Sequence, residues 1–179
     1  MDEQKIWFLV INLLGGFAVI ASYVAGMVSH PNTEQLIWGR ITPALKSIYL
    51  VSMPLAAVSY LLFLYFILFQ LDAGVVQIWG FDGFLVLDII FAVILVFSAF
   101  WMPLAYKLIE TQWRGWWVYI RMVLFFVALG SLALLCALLI ISQKEPAWSY
   151  WLAVSGAAVF FIQTGVIDAF VWTAMFPYK

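Results

Sequence analysis

Three ionisable side chains sit inside otherwise uncharged apolar runs: Asp88, Arg121 and Asp168. A charged group within a bilayer costs roughly 2.5–3.5 kcal/mol on insertion scales, so each needs a physical role. Depth sorts them. Asp88 lies about five residues into its run, ~8 Å at the helical rise per residue, with no basic residue at that depth. It is expected to reach outer-face water or to be protonated; the functional alternative is a proton relay. Arg121 lies about five residues into the fourth run and Asp168 about twenty into the fifth, which the same rise places at similar depth on consecutive antiparallel helices. An ion pair between them would fix how these helices meet. The alternatives are a charged pocket wall, or Arg121 snorkelling alone to the headgroups. Thr164, Asp168 and Trp172 are spaced i, i+4, i+8 and share one helical face. A hydroxyl, a carboxylate and an indole in line either face a polar interior or join two helices.

Other chemistry is absent from the pattern. The single histidine, His30, falls in a loop, and the single cysteine, Cys136, in an apolar run. Neither builds a metal or haem site alone, and one cysteine closes no intrachain disulfide. There is no Ser-centred nucleophile elbow, phosphate loop or metalloprotease helix. Asp88 and Asp168 differ in depth by most of the bilayer, so they cannot act as a carboxylate dyad. No enzyme, catalytic residue, metal or resident cofactor is expected.

The elements that position these groups follow from composition. Of 179 residues 67% are hydrophobic and 9% charged, with a net charge of −1. A soluble domain carries about 25% charged residues, so a soluble enzyme and a disordered chain are excluded. The absence of a basic field excludes a nucleic-acid partner. Charges divide the chain into five runs, about 6–27, 47–70, 83–106, 116–142 and 148–175, each near the ~20 residues that cross a bilayer. Helices are the economical reading, because open strands leave backbone groups unpaired in lipid. The expectation is an all-α polytopic protein, residues 1–179 forming one transmembrane domain of five helices. The first run is too long for a signal segment and opens on Asp2 and Glu3, so it is expected to remain as a helix.

Arg40, Lys46, Lys107, Arg114, Arg121 and Lys179 fall on the side of the first and third loops and the C-terminus, against Lys5 and Lys144 opposite. The positive-inside bias then puts the N-terminus outside and the C-terminus in the cytoplasm. Eight of ten tryptophans lie near predicted helix ends, as an aromatic belt would. Trp101 and Trp172 instead lie in the last turns of their helices. The first loop, His30 to Lys46, carries Leu36, Ile37 and Trp38 on a short predicted helix, Asn32–Trp38, with Gly39 ending it. Such a loop is expected to act either as a lid packed on the bundle or as an interfacial turn.

Several local segments carry a family likeness. Ile41-Thr42-Pro43 leads into a helix containing Ala56-Ala57, and Phe100-Trp101-Met102-Pro103-Leu104 ends the third span. Pro146-Ala147 makes a tight connection between the last two spans. With five helices, abundant tryptophan and a long first loop on the C-terminal side, the chain resembles the translocator protein/tryptophan-rich sensory protein family (TspO/MBR, the peripheral benzodiazepine receptor). It departs from that family in lacking the Trp-Tyr pair of the first loop, and in carrying Phe160–Thr164 where the family has Pro-Tyr-Leu-Leu-Trp. The resemblance implies a ligand pocket beneath the first loop for a flat apolar molecule, a tetrapyrrole or a sterol. Trp38, Trp101 and Trp172 would be its walls and Thr42, Pro43 and Pro103 its mouth. The polar stripe read from the residues themselves would add Thr164 and Asp168 as orienting hydrogen-bond groups. Two other classes stay open: an accessory subunit of a larger membrane complex, and a small proton-coupled carrier. Besides the lipid bilayer, the partners left open are a second copy in a homodimer or the other chains of such a complex.

Overall fold

The computed structural model describes residues 2–31 and 34–176, without the side chains of residues 34 and 35. The five spans are α1 (Glu3–Ser29), α3 (Pro43–Phe69), α4 (Gly83–Thr111), α5 (Arg114–Ile140) and α6 (Ala147–Phe161), which runs on to Met175. A four-residue helix, α2 (Glu34–Ile37), interrupts the first loop. The chain is an all-α, five-helix membrane protein: each of the five is long and apolar enough to cross a bilayer.

Helix ends are set by local chemistry. Thr42 accepts the amide of Leu45 at 3.3 Å, and Pro43 sits at the first helical position of α3, where its missing N–H costs nothing. Asp82 Oδ1 accepts the amides of Phe84 and Leu85 at 2.9 and 3.1 Å, opening α4. A two-residue turn at Trp79-Gly80, both at positive φ, joins the short antiparallel strands β1 (Gln77–Ile78) and β2 (Phe81–Asp82). That geometry suits a tight hairpin, and glycine supplies half of it at no steric cost. The sequence pattern showed this stretch only as a loop.

The last span does not stay α-helical. From Ile162 to Trp172 it is a π-helix of 11 residues, followed by one α-helical turn, α7 (Thr173–Met175). π-Helices mostly occur as single-turn bulges, often at functional sites. This one carries Gln163, Thr164, Asp168 and Trp172.

Around the bundle, α1 packs on α4, α4 on α5, α5 on the last span, and the last span on α3. The ring is left loose between α1 and α3. Small residues allow the close pairs. Ala153 and Ala157 are fully buried, and a Cβ at Gly156 would come within 2.9 Å of the Ser59 carbonyl on α3. A Cβ at Gly26 would meet the Tyr106 ring on α4 at 2.6 Å. The core divides in two. One cluster, around Phe8, Phe63, Phe66, Phe84 and Phe91, fills the end near the hairpin. The other, around Ile37, Tyr49, Trp101, Tyr106 and Trp172, fills the end near the first loop.

Candidate functional site

Between the two core clusters lies a cavity of about 540 Å³, with residues from all five spans in its wall. Ile94, Leu95, Leu124, Val127 and Phe160 make it apolar. Its mouth faces sideways. Ile20 and Leu61, on α1 and α3, line it while remaining 66% and 62% exposed, which puts the opening at the loose seam facing lipid. One polar tie crosses that seam: the Tyr60 hydroxyl donates to Asn12 Oδ1, and Asn12 Nδ2 donates back to the Phe8 carbonyl at 2.8 Å.

The polar part of the wall is built by the π-helix. Gln163 Nε2 donates to Asp168 Oδ1 at 2.9 Å. Residues five apart stand about 140° apart on an α-helix, too far around for short side chains to meet. The i→i+5 bonding of a π-helix stacks them. Beside this pair, Thr164 Oγ1 donates to Ser131 Oγ on α5 at 2.7 Å, and Ser131 donates on to the Ala128 carbonyl at 2.9 Å. Tyr49 approaches from α3, its hydroxyl donating to the Ile167 carbonyl at 2.8 Å. Two buried polar atoms in the wall have no partner among the described residues: Trp101 Nε1 and Gln163 Oε1.

Of the eight residues expected to form a site, Trp101, Thr164 and Asp168 line this cavity and the other five do not. Trp172 is buried in the core near the first loop, where its indole N–H donates to the Ile37 carbonyl at 3.0 Å. Trp101 meets it edge-on at 5.5 Å and so divides filled core from cavity. Trp38 packs edge-on against Tyr49 at 5.5 Å, with Lys46 Nζ 5.0 Å from its ring. Thr42 and Pro43 are exposed and serve the start of α3. Pro103 lines a separate cleft of about 230 Å³ between α1 and α4, with His30, Lys107 and Glu110. There His30 Nε2 lies 2.7 Å from Glu110 Oε1, Lys107 Nζ lies 3.0 Å from Glu110 Oε2, and the imidazole stacks on Tyr106.

Three expectations are corrected. Arg121 and Asp168 do not pair: Arg121 is exposed on α5, and the Asp168 carboxylate takes its hydrogen bond from Gln163. The similar depth expected from sequence did not imply a shared azimuth. The pocket is not roofed by the first loop, because the aromatic core around Trp172 fills the space beneath that loop. Within the loop, Ile37 packs down and Trp38 half does, but Leu36 points away. The short helix covers 34–37, and Gly39 at φ 56 ends it as expected. Asn32 and Thr33, its expected start, lie outside the described residues, as does Lys179.

Tyr23, Tyr60, Ser98 and Gln163 also line the cavity and were not singled out by sequence. The signal for Gln163 was present: an amide five residues before a carboxylate, within an apolar span. It is invisible to a reading that assumes α-helical spacing throughout. Asp88 is half-buried near the hairpin end, one of its oxygens buried without a partner.

No family model matches the chain, and neither does any curated protein or solved structure in the comparisons made.

Proposed function

We propose that the chain binds a small, mostly apolar and planar molecule, tetrapyrrole- or sterol-like, among its five helices, in a sensing, transport or regulatory role. The observation that carries this reading is the cavity of about 540 Å³, within the ~300–1,000 Å³ typical of small-molecule sites. Its wall is aliphatic and aromatic, which suits an apolar body. Three of its polar groups, Gln163, Thr164 and Asp168, gather on one helix, which suits orientation of that body. Indole and phenol rings supply flat, rigid faces at little entropic cost. The likeness of Phe100–Leu104 and Ile41-Thr42-Pro43 to the translocator family points the same way. The ligand would pass from the bilayer through the seam between α1 and α3.

Blocking the mouth tests this. Ala57 lines the cavity and is exposed on α3, so Ala57→Phe adds bulk in the opening without entering the packed core. The full chain in phosphatidylcholine nanodiscs is titrated with a neutral porphyrin that lacks carboxylate arms, following porphyrin absorbance. Wild type is expected to saturate, and Ala57→Phe to bind at least about tenfold more weakly, equivalent to ~1.4 kcal/mol. Absence of saturable binding by wild type would discard the pocket and favour an accessory subunit whose aromatic faces contact other chains.

The same reading puts the first-loop end in the cytoplasm, from the basic residues gathered there. Val75→Cys and Gln112→Cys, each in a Cys136→Ser background, report the two ends. A membrane-impermeant maleimide applied outside should label position 75 and spare position 112. The reverse pattern overturns the orientation.

A further inference from the structure

We infer that the molecule held in this cavity carries a protonated amine, with Asp168 as its counter-ion. This rests on the pocket reading above and specifies the polar end of the ligand. Among the described residues, Asp168 is the one acidic residue in the cavity wall, and no Lys, Arg or His joins it there. The ion pairs among the described residues, His30–Glu110 and Lys107–Glu110, both lie in the other cleft. Arg121, which depth alone would have offered as a partner, is exposed. Among the described residues none supplies a cation to this carboxylate.

The hydrogen bonds around Asp168 leave acceptors to spare. Oδ1 takes the Gln163 Nε2 proton at 2.9 Å, and among the described residues no hydrogen bond reaches Oδ2. A carboxylate only accepts, so the Gln163 amide must turn its nitrogen towards it. That leaves Gln163 Oε1 buried without a donor, in a residue only 4% exposed. A free carboxylate oxygen and a free amide oxygen on stacked residues call for a compact group with several donors and positive charge. An ammonium has three N–H donors and no acceptor.

The rest of the wall agrees. Tyr23, Tyr60, Trp101 and Phe160 line the same cavity, and aromatic faces attract cations. The unpartnered Trp101 Nε1–H would donate to an ether or carbonyl oxygen elsewhere on the ligand. A carboxylate-bearing ligand would instead set like charge beside Asp168 with no base to offset it. A neutral ligand would leave the carboxylate without a counter-charge.

Three probes with one flat body test the assignment: 1-pyrenemethylamine, 1-pyrenemethanol and 1-pyreneacetate, which are cationic, neutral and anionic at pH 7. Each is titrated into the full chain in phosphatidylcholine nanodiscs, with nanodiscs lacking protein subtracted. The amine is expected to bind at least about tenfold more tightly than the alcohol, and the acid most weakly. In Asp168→Asn the amine should lose its advantage over the alcohol measured in that same variant. If the alcohol and the amine bind equally to wild type, the amine assignment falls and the pocket stands. If none of the three saturates, the pocket falls and the assignment with it. Should Asp168→Asn fail to fold, the wild-type ranking decides alone.

Discussion

The aromatic core near the first loop and the cavity beside it are made of the same kinds of side chain, and they end up in opposite conditions. In the core, Trp172 is 3% exposed, its N–H is bonded to Ile37, and Trp101, Trp117 and Phe176 surround its ring. A few ångströms away, Trp101 turns the other side of its indole to a cavity, with its N–H unpartnered. Composition does not separate the two. The difference is whether something closes the ring of helices at that level. Near the first loop, α2 and the turn after it lie across the bundle, tied by Trp172 and by the Arg40 amide, which donates to the Met175 carbonyl at 2.9 Å. Further along, the α1–α3 seam has the Asn12–Tyr60 bond and little else. Filled and open regions of one bundle are thus decided by a connecting loop.

That contrast can be broken most forcibly at Trp172. Trp172→Ala should destabilise by about 3–5 kcal/mol, as large-to-small changes in packed cores do, and should loosen the first loop. Thermal denaturation of the detergent-solubilised protein measures the cost. A loss under about 1 kcal/mol would mean that this end is not close-packed. Trp101→Phe sharpens the comparison from the other side. It keeps a ring between core and cavity and removes a donor that has no partner, so stability should change by less than about 1 kcal/mol or rise. A loss above about 2 kcal/mol would mean the indole N–H is bonded after all. The smallest effect is expected where the polar stripe touches α5. A double-mutant cycle of Ser131→Ala and Thr164→Val should give a coupling of about 0.6 kcal/mol, the usual size for hydrogen bonds between membrane helices. Strictly additive effects would mean the Thr164–Ser131 bond does not join the two helices.

The five spans were legible because charge is rare and marks their ends. The helices run a few residues past the apolar stretches, as at Glu3–Ile6 and Lys107–Thr111, because a backbone in the headgroup region still gains by closing its own hydrogen bonds. Azimuth was not legible. A span that is apolar on every side gives no periodic signal to say which face turns inward, so Arg121 was expected to point at Asp168 and points outward instead. For the same reason Tyr23 and Tyr60 gave no sign of lining a cavity. Trp101, Thr164 and Asp168, singled out as polar or indole groups deep in a span, do line the cavity. Gln163 was missed because its relation to Asp168 depends on a change of helix type that no residue in Ile162–Trp172 announces.

If the cavity binds as proposed, its sideways mouth sets what it could select. A molecule arriving through the α1–α3 seam has already left water when it reaches the protein. Each added methylene favours the bilayer over water by ~0.8 kcal/mol, but it gains almost nothing on moving from lipid tails to a wall of Ile94, Leu95, Leu124 and Val127. Greasiness therefore raises the local supply of every apolar solute alike, and the membrane, rather than the protein, does that concentrating. In the proposed site, discrimination would be left to the few atoms that hydrocarbon cannot imitate: Trp101 Nε1, Gln163 Oε1 and the Asp168 carboxylate. Against a background of lipid tails, those atoms would be what makes an opening in a bundle a chemical filter.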